Sequence, residues 1–145
     1  MKIIISHKNP EQDSHTWIQD ISSIDVLVDD AEAIEIVIDC TLCTFAFQNV
    51  GSILSKIVSK LRLDGRIIVY EKDIDIVCHN YNKSGMNIQD INNLIFEDTP
   101  AVASVLNIEV VSDLLKQAGL TIEEKFINNN TMQAIVIAKR EKNAV

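Results

Sequence analysis

Glycine is scarce in this chain of 145 residues. There are four, at positions 51, 65, 85 and 119, and none lies in the first fifty. Glycine is the residue that lets backbone turn sharply and approach a ligand with no Cβ in the way. A glycine-rich cofactor loop is therefore excluded from the first third of the chain. Aromatic residues make up only 5%, which leaves few platforms for stacking bases. Basic side chains are also in short supply, 13 against 21 acidic ones, for a net charge of −8. Nucleic acid would be repelled by that field, and the longest basic cluster, Lys139, Arg140 and Lys142, sits near the end of the chain. Three cysteines, an odd count, argue against a disulfide framework. No apolar run approaches the ~20 residues of a membrane span, and Met1 to Ser6 is too short for a signal peptide. The expectation is a soluble, cytoplasmic protein with neither nucleic acid nor membrane as partner.

What is present is ordinary for a globular protein: 47% apolar and 23% charged residues. The length suits one domain with a full core. No repeat or linker divides it, so residues 1–140 read as a single domain and 141–145 as a fraying tail. The 23 isoleucines and 12 asparagines fit an AT-rich coding sequence and say little about function.

Lys2 to Ser6 reads as a buried strand on its run of three isoleucines. Trp17, Ile18 and Ile21 predict a short strand or one helical turn, and Asp25 to Val28 a third short apolar run. Ile34 to Asp39 is rich in β-branched residues and reads as a strand. A helix follows, capped by Asn49 or Ser52, with Val50, Ile53, Leu54, Ile57, Val58 and Leu61 on one stripe. Asp64-Gly65 is expected to end it. Arg66 to Glu71 then reads as a central strand, and strand–helix–strand implies a right-handed parallel crossover. Ile74, Val77 and Tyr81 predict a short helix, as do Ile88, Ile91, Leu94 and Ile95. Asn107 to Ala118 is a helix capped by Asn107, with Val110, Val111, Leu114 and Leu115 inward and Gly119 at its end. Thr121 to Ile127 and Thr131 to Lys139 form a hairpin across Asn128-Asn129-Asn130, since asparagine tolerates left-handed backbone. These elements predict an α/β fold: a mostly parallel, Rossmann-like sheet with helices on both faces and a C-terminal antiparallel hairpin.

In that order the elements resemble a class I S-adenosylmethionine (SAM)-dependent methyltransferase. SKIVSKLRLDGRIIVYEKD is similar to the family's helix, turn and fifth strand. VVSDLLKQAGLTIEEKFI and TMQAIVIAKR are similar to its last helix and closing antiparallel pair. MKIIISHKNP occupies the place of the first strand and glycine loop. WIQDIS, VLVDDAEAI and IEIVIDCTLCTF resemble strands two, three and four. The resemblance implies that Asp20 would accept ribose hydroxyls and that Asp30 with Ala31 would sit beside the adenine. It also exposes a departure. The family's first loop resembles G-x-G, whereas here it is Ser6-His7-Lys8-Asn9-Pro10. His7 and Lys8 place side chains where the methionine half of the cofactor would lie, and Pro10 removes a backbone donor.

Other constellations carry less. Cys40 and Cys43 have C-x-x-C spacing, with Cys78-His79 as the remaining ligands a zinc site would need. They read instead as small, soft residues at a strand's end. His7 and His15, with Asp13 and Asp20, could form a His–Asp base, but a solvated loop is the plainer reading. His79 and Tyr81 fall where methyltransferases place substrate contacts. Ser52, Ser55 and Ser59 lack a nucleophile-elbow context and read as helix surface. The acidic run Asp25, Asp29, Asp30, Glu32, Glu35 and Asp39 lacks calcium-loop spacing. The expectation is a methyltransferase-like fold that is catalytically silent, uses no cofactor and presents a surface to a protein partner or to itself. The alternative is an active SAM-dependent methyltransferase acting on a small molecule, glycan or protein. Edge-strand reasoning makes Thr131 to Ala138 the segment for self-association.

Overall fold

The computed structural model describes residues 1–11, 13–97 and 101–142. Part of the predicted tail, residues 143–145, lies outside them. Six strands form one sheet: β1 (Lys2–Ile5), β2 (Thr16–Ile18), β3 (Ala33–Asp39), β4 (Leu61–Lys72), β5 (Thr121–Asn128) and β6 (Gln133–Lys139), in the spatial order β2-β1-β3-β4-β6-β5. The first four are parallel, and β6 and β5 join antiparallel. The expected α/β class holds, a mostly parallel sheet with an antiparallel C-terminal pair, but the core helices pack on one face rather than both.

Helices α2 (Phe47–Ser59) and α5 (Ile108–Gln117) cover the sheet. Val50, Leu54, Ile57 and Val58 of α2 and Val111 and Leu115 of α5 pack on Ile3, Ile5, Ile36, Ile38, Ile67, Val69, Val136 and Ala138. The pairing sets Ile3, Ile36, Ile67 and Ala138 in one row and Ile5, Ile38, Val69 and Val136 in another, so all of them point to one face. The helices are thus unevenly distributed: every helical residue of the core cluster lies on this face. Handedness explains the asymmetry. The β3–α2–β4 crossover steps one way along the sheet and puts α2 on this face. The β1-to-β2 connection steps the other way, so a right-handed path carries it over the opposite face. That connection spans only residues 6–15 and holds no helix among its described residues.

Several boundaries differ from those the sequence predicts. Ile21–Ser23 and Ile24–Leu27 (α1) are helical, where the third apolar run resembled a strand. Ile21, Ile24 and Val28 are buried at spacings of three and four, while Val26 is 87% exposed; that is helical periodicity. Helix α2 begins two residues before Asn49, its N-cap position is Ala46, and no side chain caps it. It ends at Ser59, and Asp64-Gly65 lies inside β4. There the pairing jumps from Ala33↔Leu61 to Glu35↔Arg66 and Asp64 adopts φ 64°, a bulge. Gly65 is required at this point, because a Cβ would lie 2.7 Å from Leu61 Cδ1 and 2.8 Å from the Arg62 carbonyl oxygen. In the hairpin, Asn128 Oδ1 accepts from the Asn130 and Thr131 amides, and the left-handed residue is Met132, φ 55°. Strand β6 is sandwiched between β4 and β5. The edge strands are therefore β2 and β5, not the segment Thr131 to Ala138.

Helices α3 (Ile74–Lys83) and α4 (Ile88–Asn92) follow β4. Buried Asp73 organises this end of the sheet: Oδ1 accepts from the Asp75 and Ile76 amides and caps α3, while Oδ2 accepts from Ile108 N at 2.7 Å at the start of α5. Asn107 caps α5 through Val110 N, as its sequence predicts.

Candidate functional site

In an open α/β sheet, ligands bind outside the carboxyl ends of the strands, where strand order reverses. Here that point lies between β1 and β3. A depression of about 190 Å³ occupies it, lined by Ser6, His7 and Lys8 after β1, Asp39 and Cys40 at the end of β3, Lys72 of β4 and Gln133 of β6.

The loop after β1 is tied down by its own backbone. Ser6 N donates to Ile18 O, and the Ser6 carbonyl accepts from Trp17 Nε1 at 3.0 Å. Ser6 Oγ donates to the Lys8 carbonyl at 2.8 Å, and Gln19 Nε2 reaches the His7 carbonyl at 3.4 Å. The carbonyls of Ser6, His7 and Lys8 are thus engaged within the protein, whereas the buried His7 Nε2 has no partner among the described residues. A second depression of about 390 Å³, lined by Ile4, Val37, Asp39, Tyr70 and Gln133, adjoins it through Asp39 and Gln133.

Asp20 and Asp30 fall at opposite poles. Asp20 follows β2 at the carboxyl pole, where its side chain accepts from Ser22 N. That amide holds its carboxyl below the usual range. Asp30 precedes β3 at the amino pole and accepts from Lys60 Nζ at 2.7 Å. Lys60, whose side chain is 6% exposed, also bridges Asp25 at 3.0 Å. The neighbouring Ala31 has φ 58°, and its amide donates to Ser59 O. Strand β3 separates the poles by about 20 Å. The structure does not bring the two acids together.

The other candidates separate as well. His15 Nε2 meets Glu35 Oε2 at 2.7 Å, near the amino ends of β1 and β3 and away from His7. Ser52, Ser55 and Ser59 are exposed on α2. Cys78 is exposed on α3, and among the described residues no cluster of three His, Cys, Asp or Glu is placed to hold a metal. Cys40 sits at φ 49°, and its Sγ accepts from Gln133 Nε2 at 3.2 Å. Burial pushes its thiol up to about 12 and raises Cys43 further, so both stay protonated and unreactive near neutrality.

One polar residue was not singled out by its sequence. Glu71, the last inward residue of β4, is 1% exposed. Its Oε1 accepts from Leu42 N at 2.8 Å, and its Oε2 has no partner. Burial pushes its carboxyl up to about 8. The available signal was a carboxylate closing the apolar run RIIVYE.

Topology and comparison agree on the class: the chain has a class I methyltransferase-like fold. No family model matches the sequence, and no curated protein matches it. Among solved structures, an O-methyltransferase family protein from Burkholderia thailandensis superposes with a TM-score of 0.63 at 11% identity, over 89% of this chain and 36% of that one. The 1,6-didemethyltoxoflavin-N1-methyltransferase of the same organism, with bound 1,6-didemethyltoxoflavin and S-adenosylhomocysteine, gives 0.61 at 12%, over 97% and 62%. The complex of the Haloferax volcanii Trm112 methyltransferase activator with a putative methyltransferase gives 0.59 at 10%, over 92% and 64%. The chain thus spans between about a third and two thirds of the chains it resembles.

Proposed function

We propose that this chain is a methyltransferase fold that does not use SAM and acts as a protein-binding module. The observation that carries this reading is the loop after β1. It has no glycine, and its carbonyls at Ser6, His7 and Lys8 are taken by the protein. The distance between Asp20 and Asp30 adds support. A fold of this kind can engage a protein, as the Haloferax volcanii complex illustrates.

The second reading is an active SAM-dependent methyltransferase. It draws on Asp20, which lies at the pole where such sheets bind ligands, and on similar structures that hold S-adenosylhomocysteine. In it Asp20 holds the ribose, and Asp30 with Ala31 would have to reach the adenine from the other pole. Isothermal titration with SAM separates the two readings. The binding-module reading expects no heat of binding up to millimolar SAM. Saturable micromolar binding, abolished in Asp20→Ala, would establish the second.

A further inference from the structure

The face of the sheet opposite α2 and α5 is built unlike a solvated surface. The pairing sets its side chains in straight rows across the strands. One row runs Trp17, Ile4, Val37, Ile68, Ile137, apolar across five strands. The next runs Tyr70, Ile135, Phe126, with Asp39 at its head. A charged row, Lys2, Glu35, Arg66 and Lys139, flanks them toward the amino ends, and a polar row, Lys72 with Gln133 and Asn128, toward the carboxyl ends. Val37, Ile68, Tyr70 and Ile137 stay partly exposed, and Phe126 is 43% exposed. A sheet that is largely parallel normally has both faces covered, and an apolar centre inside a polar rim is the anatomy of a protein interface.

We propose that this face is where two copies of the chain meet. Two features select a second copy over another occupant. The first is charge. Lys2, Arg66, Lys72 and Lys139 on this face nearly balance Glu35, Asp39, Asp64, Glu123 and Glu124, while the chain as a whole carries −8. The excess negative charge lies elsewhere, so like meets like here without strong repulsion. A strongly basic partner would be drawn to other surfaces. An isologous interface needs this kind of self-complementarity. The second is area. Strands of three to twelve residues, rising about 3.3 Å per residue and about 4.8 Å apart, make a plane of roughly 600 Å², and a corrugated surface exposes more than its projection, approaching the ~800 Å² per partner of a stable dimer. The inference deepens the binding-module reading and rests on it for its purpose.

Size-exclusion chromatography with light scattering, from 1 to 100 µM, tests it on the full chain. The expected mass is twice 16.2 kDa, and Ile68→Lys or Val37→Lys should weaken the dimer at least about tenfold. Ser55→Lys, on the exposed surface of α2, should leave it intact. Circular dichroism checks that the variants fold. If the two central variants do not, Phe126→Lys at the margin and the mass of the unaltered chain still decide. A monomer at 100 µM would overturn the proposal and leave the face to a different protein. So would a dimer indifferent to the lysines, which must sit elsewhere, for instance on the β5 edge. The SAM titration fails or succeeds independently: a dimer that binds SAM removes the silent reading alone.

Discussion

Ile67 and Ile68 are consecutive, chemically identical and in the middle of the same strand, yet they meet different surroundings. Ile67 is 0% exposed beneath the helices, and Ile68 stays partly exposed on the other face. Both faces carry isoleucine and valine in their central rows, although the open face flanks them with Lys2, Glu35, Arg66 and Lys139. The connections produced the difference at the centre. The crossover between β3 and β4 contains a 13-residue helix with an apolar stripe. The one between β1 and β2 is a polar loop interrupted by Pro10. Which side of a parallel sheet becomes core is decided by what the crossovers can bury.

The comparison is sharpest under truncation. Ile67→Ala should cost about 4 kcal/mol by urea denaturation, because it opens a cavity in the packed face; Ile68→Ala should cost only about 1 kcal/mol in a monomeric background. Equal costs would mean that both faces are core.

The covered face also holds Glu71, which yields a pH test. Its carboxyl ordinarily titrates near 4.5 and is raised to about 8 in the fold. Between those values the folded chain keeps a proton that the unfolded chain releases. Stability present below pH 4.5 is therefore lost as pH rises through 8. Glu71→Gln should flatten that loss, measured between pH 5 and 8.5, by at least about 1.4 kcal/mol, the worth of one pKa unit. An unchanged slope would show that Glu71 is ionised in the fold.

Smaller effects concern what holds the cover in place. Asn107→Ala removes the α5 cap and should cost about 1 kcal/mol in a thermal melt. Lys125→Ala breaks only the exposed pair with Glu109, at 3.1 Å, and should change stability by roughly 0.3 kcal/mol or less. A larger loss there would place Lys125 in a contact beyond that pair.

Where local chemistry and global position agree, the sequence was readable. The α2 stripe, the Asn107 cap and the asparagine-rich hairpin all announced themselves through spacing and side-chain type. Where a tertiary contact decides, it was not. The segment around Ile24 looked like a strand until its burial at spacings of three and four was visible. Gly65 looked like a helix stop but is demanded by Leu61 and Arg62 within a bulge. For the site, the missing glycines were legible at once. The engagement of the Ser6 and His7 carbonyls, the separation of Asp20 from Asp30 and the buried Glu71 were not, because their contacts reach residues 11 to 30 positions away in the chain.

The most direct test of a cofactor-free module is a crystal structure grown in millimolar S-adenosylhomocysteine. The account predicts the Ser6–Asn9 loop unchanged, with Trp17 still donating to the Ser6 carbonyl and no nucleoside at the carboxyl ends of β1 and β3. A nucleoside lying along that loop with its ribose on Asp20 would contradict it.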